Sequence, residues 1–230
     1  MALKPFLLLL AAIATLAACG SRADDPALGA ARGVISGLLN RAAPDTAALP
    51  RPDLRSVFTR AVINQAATPL LFVSNDVLGS EAILWRIGSN HGNETWRGED
   101  EISLTLSDGG VLRSTRGFLF DLYAADIEGI RAALAGHRAG TAHRMMARVE
   151  GDLQDVRTPY TCEVGFASPV TLVIFGESRR LTPAIERCAQ THNGDAFENR
   201  YWIDSAGFSW VSEQWAGPEL GHFRIERLYR

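Results

Sequence analysis

The sequence predicts a mainly β fold: an antiparallel meander, either a curved sheet or a partly closed barrel, with two or three short helices. Three observations carry this. From residue 70 onward, short runs rich in Val, Ile, Leu, Phe and Trp recur, several with strict alternation of apolar and polar residues. Glycine-containing turn signals join neighbouring runs, as a meander requires. Strands follow strands rather than alternating with helices, which argues against a parallel α/β sheet.

Asp53 is placed to cap a helix over Leu54 to Gln65, with Leu54, Val57, Phe58, Ala61 and Val62 on one side and Pro69 beyond its end. Leu70 to Ser74 and Ala82 to Ile87 read as strands, Ser89 to Asn93 as a turn, and Thr95 to Arg97 as renewed extended chain. Ile102, Leu104 and Leu106 alternate with Ser103, Thr105 and Ser107, so one face of that strand is buried. Asp108-Gly109 signals a type I′ turn, whose two central residues need positive φ, and Val111 to Arg116 returns antiparallel. Asp126 caps a helix over Ile127 to Ala135 that ends at Gly136.

Met145 to Glu150, Tyr160 to Phe166 and Val170 to Phe175 follow as strands. Thr182-Pro183 reads either as a helix start or as part of a strand reaching Cys188. Tyr201 to Asp204 and Phe208 to Trp215 form a hairpin across Ser205-Ala206-Gly207, and Phe223 to Leu228 is the last strand.

Ahead of this region lies an export segment. Met1 to Lys4 give a positive start, Phe6 to Ala18 are apolar or small apart from Thr15, and Leu16-Ala17-Ala18-Cys19 reads as a lipobox. The apolar run is shorter than the roughly 20 residues a membrane helix needs. Residues 1–18 are therefore expected to be cleaved as a lipoprotein signal peptide, leaving Cys19 to carry acyl chains; an ordinary secretory signal is the competing reading. Residues 19–53, with Asp24-Asp25-Pro26, Pro44-Asp45, Pro50 and Pro52, read as the tether, and 54–230 as a single β-rich periplasmic domain. Gly29, Gly33 and Gly37 recur every four residues within the tether, but no apolar span of membrane length surrounds them.

The formal net charge of −3, with Lys4 as the only lysine, gives no basic excess for nucleic acid. With Cys19 assigned to lipid, Cys162 and Cys188 form an even pair in an oxidising compartment, and a disulfide is expected over a metal site built with His192. No nucleophile elbow, phosphate loop, zinc helix motif or dinucleotide fingerprint is present, and the five histidines lack ligand spacing. No catalytic residue, metal or cofactor is therefore assigned. Glu99, Asp100 and Glu101 offer carboxylates, but three acids in a row before a strand describe a solvated turn.

Aromatic residues supply the richer pattern. Trp85, Trp96, Trp202, Trp210 and Trp215 fall on strands or their ends, accompanied by Thr115, Arg116, Arg200, Asp204, Ser212 and Gln214. Flat rings beside planar polar groups suit a sugar, whose C–H faces stack while its hydroxyls need donors and acceptors. Filling of a sheet core is the alternative for each tryptophan. The candidate glycan or partner surface comprises Trp96, Thr115, Arg116, Arg200, Trp202, Asp204, Ser212, Gln214 and Trp215. Within it, Trp202 with Asp204 and Ser212 with Gln214 are expected to form an exposed polar face.

Four stretches carry a family resemblance: Thr95-Trp96; Ser114-Thr115-Arg116-Gly117 followed by Asp121-Leu122; Glu186-x-Cys188; and Asn199 to Asp204 running to Ser212-x-Gln214-Trp215-x-Gly217-Pro218. In order and spacing the chain from about residue 55 to 230 resembles the group 4 capsule polysaccharide lipoproteins of the YjbF/GfcB type. The resemblance implies a mostly β lipoprotein of the outer membrane, facing the periplasm and serving exopolysaccharide or capsule export, with no catalytic residues to carry over. The expected partners are the membrane, through the lipid, and a polysaccharide or polysaccharide-export proteins. The other readings are a lipid- or lipoprotein-binding β module with an apolar hollow and a carboxylate-based glycan-modifying enzyme.

Overall fold

Alternating side chains turn one face of each run toward a common interior, and in the computed structural model twelve of thirteen strands line it among the described residues, 53–150, 154–190 and 195–229. The signal peptide, Cys19 and the tether up to residue 52 lie outside them.

The described residues begin with two short helices, α1 (Leu54–Val57) and α2 (Arg60–Ala66). They replace the single helix expected over 54–65. Asp53 does cap α1, accepting the Arg55 N–H, but Phe58 leaves helical geometry and Thr59 starts a second cap by accepting the Val62 N–H. The strands are β1 (Leu70–Asn75), β2 (Ser80–Asn90), β3 (Asn93–Arg97), β4 (Ser103–Ser107), β5 (Leu112–Arg116), β6 (Leu122–Asp126), β7 (Gly140–Glu150), β8 (Gln154–Phe166), β9 (Val170–Ile174), β10 (Glu177–Ala189), β11 (Ala196–Ile203), β12 (Ser209–Gly217) and β13 (Gly221–Tyr229). Helix α3 (Glu128–Ala135) separates β6 from β7.

All pairings are antiparallel. The strand order is β5-β4-β3-β2-β1-β13-β12-β11-β10-β8-β7-β6, with β9 attached to β10 alone. The sheet curls until β5 and β6 meet, giving a nearly closed barrel. The undecided segment at Thr182-Pro183 is strand. Pro183 sits where β10 exchanges one partner for another, β9 along residues 177–181 and β8 along 184–189, so the missing N–H falls at the changeover.

Turn chemistry differs from the expectation at one loop. At residues 107–110 the Gly110 N–H donates to Ser107 C=O, and only Gly110 has positive φ (+91°). This is a type I turn followed by a left-handed residue rather than a type I′ turn. The loop at residues 204–207 repeats it, with Gly207 at φ +76°. A Cβ there would stand 2.4 Å from Ala135 Cα, so glycine lets this loop lie directly on the end of α3. Helix α3 starts one residue later than expected, with Ile127 rather than Asp126 at its N-cap and no side-chain cap from that residue, although the Asp126 carboxylate does accept the Glu128 N–H from the position before it. The left-handed residue after the helix is His137 (φ +47°), and not Gly136.

Two apolar layers result. Inside the barrel lie Leu71, Val73, Leu84, Trp96, Leu104, Leu106, Leu122, Met146, Val164, Ile203, Phe223 and Ile225, with Ile127, Ile130 and Leu134 of α3 packed among them. On the outer face of β1, Phe72 meets Phe175 at 5.4 Å, and the Arg55 guanidinium of α1 lies 4.4 Å from the Phe72 ring. Arg60 at the start of α2 donates to the carbonyls of Ile174, Phe175 and Leu228, clamping the β9–β10 turn to the end of β13.

Candidate functional site

Inward positions along β7, β10, β11 and β12 are not all apolar. The alternation Phe197, Asn199, Tyr201, Ile203 puts Asn199 and Tyr201 inside from β11, while β10 contributes Glu186, β7 Arg144 and β12 Ser212 and Gln214; all six are buried. Arg144 grips Glu186 with two bonds, Nε to Oε1 at 2.8 Å and a terminal nitrogen to Oε2 at 3.0 Å. The Tyr201 hydroxyl (2.7 Å) and Asn199 Nδ2 (2.9 Å) also donate to Oε2. Burial, then the Glu186 charge, pushes the Tyr201 phenol well above its ordinary value, so it stays a donor.

Gln214 extends the cluster across the barrel. Its Oε1 accepts the Leu112 N–H at 2.7 Å, and its Nε2 donates to Gly110 C=O at 2.8 Å and to Ser212 Oγ at 2.9 Å. Asn199 Oδ1 accepts the Trp215 N–H at 2.7 Å, where the paired register of β11 and β12 has ended.

A second polar group joins β5 to β6. Leu122 N–H donates to Thr115 Oγ1 (2.9 Å), and Thr115 Oγ1 donates to Asp121 Oδ1 (2.6 Å). The carboxylate of Asp121 also accepts the Gly117 and Phe118 N–H groups. Arg116 donates to its neighbour Thr115 C=O and across the join to the carbonyls of Leu122 and Tyr123, with its guanidinium 4.9 Å from the Tyr123 ring. Side chains thus seal the join between the two end strands.

The outer face of β10 to β13 carries a chain of alternating charges. Arg187 and Arg200 both meet Glu198, at 2.9 and 2.8 Å; Arg224 bridges Glu213 (2.7 Å) and Glu226 (2.8 Å); and Glu226 ends on Arg55 of α1. Half-buried Trp202 stands in this face, with the Arg224 guanidinium 6.0 Å from its ring.

The expected surface is therefore divided among three places. Arg200 and Trp202 share the outer face of β11. Arg116 is exposed at the join, and Thr115 is buried beneath it. Ser212, Gln214 and Trp96 are inside, at 2 %, 0 % and 0 % exposure, which corrects the exposed face expected of Ser212 with Gln214 and gives Trp96 its alternative role of filling the core. Trp96 lies under the Arg227 guanidinium at 4.8 Å. Trp215 stacks on Phe197 at 4.5 Å and is half-buried. Asp204 shares the Trp202 side of β11 but is spent on its own turn, accepting the N–H groups of Ala206 and Phe208 and Nε1 of Trp210.

Cys162 and Cys188 lie opposite each other on β8 and β10 and are joined by a disulfide, as expected. Glu186 touches this pair, but bonded sulfurs offer no thiolate, so the three residues do not make a metal site. Arg144 was absent from the sequence-based candidates. Its signal is a charged residue between Ala142 and Met146 at an inward position of β7.

No curated protein sequence matches the chain. Among solved structures, the hypothetical lipoprotein YmcC from Escherichia coli (K12) is similar, at 17 % identity and a TM-score of 0.63 over 71 % of this chain and 87 % of that one. At that identity the likeness is one of fold. The family described as group 4 capsule polysaccharide lipoprotein gfcB, YjbF matches residues 46–228. That match takes in the polar cluster and the β5–β6 join together, and the chain belongs to this family of capsule polysaccharide lipoproteins.

Proposed function

We propose that this lipoprotein, anchored through an acylated Cys19 at the periplasmic side of the outer membrane, assists secretion or assembly of an extracellular polysaccharide. It does so without chemistry of its own, by holding glycan or a protein of the export machinery against the outer face of β10–β13. The observation that supports this reading is the family match across residues 46–228. Within that face, Arg200 and Trp202 combine an accessible cation with a half-exposed ring, the pairing that suits sugar hydroxyls and C–H faces or a polar protein rim.

The reading of an apolar hollow for lipid finds no support among the described residues, whose inward side chains fill the barrel with aliphatic and aromatic groups and the Glu186 cluster. The test is export by cells carrying Arg200→Ala with Trp202→Ala in the full lipoprotein. Surface polysaccharide is expected to fall severalfold while protein level and circular dichroism stay unchanged. Unchanged export would remove the site, and unchanged export on deletion of the whole gene would remove the function.

A further inference from the structure

Strand β9 (Val170-Thr171-Leu172-Val173-Ile174) has one hydrogen-bonded neighbour, β10, among the described residues. The turn that joins them is Phe175-Gly176, with φ +45° and +82°, a two-residue turn of the I′ hand. Its flanking residues, Ile174 and Glu177, form a main-chain bonded pair. By antiparallel alternation, Leu172 with Arg179 and Val170 with Leu181 do the same. Thr171 and Val173 then direct their N–H and C=O groups away from β10. The Ile174 carbonyl, on the β10 side, accepts in addition from Arg60 at 2.7 Å, and the alternation makes Thr171 and Val173 the open stretch.

Edge strands are ordinarily protected by charge, proline, a bulge or a cover. The end strands β5 and β6 are closed against each other by Thr115, Arg116 and Asp121. In contrast β9 is uncharged, rich in β-branched residues and without proline, and Val173 is 68 % exposed. Its spacing is also self-complementary. A two-fold axis at Leu172 sets Thr171 of one copy against Val173 of the other. Those are the residues whose main-chain groups have no strand partner among the described residues, so four hydrogen bonds form, and no like charges meet.

We propose that β9 is a homodimerisation edge, pairing antiparallel with β9 of a second copy about Leu172 to join two barrels through one continuous ribbon. A single strand pair is smaller than a standard interface, so the association is weak in dilute solution. Confinement of both copies to one membrane by their lipid raises the effective concentration.

The test is cysteine cross-linking of the full lipidated protein in its own membranes. In the proposed register Leu172 faces its own copy as a non-bonded pair, with Cα atoms about 4.5 Å apart, within disulfide reach. Leu172→Cys is expected to give a dimer of twice the mass under mild oxidation, severalfold more than Thr171→Cys or a Ser205→Cys control in an exposed loop outside β9. Adding Val173→Pro, which deletes an edge N–H, should abolish that excess. Hydrogen exchange on the unaltered protein, which needs no substitution to fold, should show the Thr171 and Val173 amides gaining protection as concentration rises. Equal cross-linking at all three positions together with concentration-independent exchange overturns the proposal. So does a Leu172→Cys adduct to a different protein, which would make β9 a receptor for a foreign strand.

Discussion

Glu186 receives four donors from three side chains, Arg144, Tyr201 and Asn199, which uses the acceptor capacity of a carboxylate fully. Removing one partner of such a pair strands the other charge without water. Glu186→Leu is therefore expected to destabilise the protein by about 3–5 kcal/mol, and Arg144→Met in the same chain to recover most of it. Urea denaturation checks this, and a loss below about 1 kcal/mol would show that Arg144 finds other partners. Glu226 gives a pH-dependent counterpart. Burial pushes its carboxyl up, but hydrogen bonds from Arg55 and Arg224 outweigh that and hold it below its ordinary value. With the folded value depressed, the unfolded chain takes up the proton first. The contribution of Glu226 is present above the ordinary carboxylate range and is lost as pH falls toward the folded value. Glu226→Gln is expected to flatten the acid side of the stability–pH curve, measured by thermal melts at successive pH values. At this scale the sequence misleads, because polar residue types read as surface. Ser212 and Gln214 sit at the right alternation but on the inner face, and Glu186 meets partners 13 to 42 positions away, beyond any local pattern.

Elements were legible wherever one face is uniformly apolar. The alternation around Leu104 and Leu106 and the Gly207 turn yield the strands they predict. Strand β6 was not foreseen, because Leu122-Tyr123-Ala124-Ala125-Asp126 carries an exposed tyrosine and two small residues in place of a clean alternation. The doubt at Thr182-Pro183 has a physical source, since proline fits both a first helical turn and a strand that changes partners. The β5–β6 join is the element most dependent on particular side chains. Thr115→Val keeps its volume but deletes the bonds to Asp121 and from Leu122 N–H. A cost of about 1–3 kcal/mol is expected, with faster hydrogen exchange concentrated in β5 and β6. Exchange that rises uniformly over the sheet would mean that the join does not open separately.

For the whole molecule, family and fold were both readable before any coordinates: the quoted stretches Ser114–Leu122 and Glu186–Pro218 turn out to hold the barrel shut and fill its interior. That the family-like residues are largely internal explains why they pointed to the family better than they located a surface. Cys19→Ala is expected to release the protein from the membrane fraction into soluble periplasm, read by fractionation; retention in the membrane would mean another attachment. Strand order adds a temporal consequence. The first strand pairs with the last, β1 with β13, and β13 is also the link to β12. Until β13 is in place, the main-chain ladder is two half-sheets, β1–β5 and β6–β12, linked by side chains at the β5–β6 join, so the ring of strands cannot close before residues 221–229 have been made.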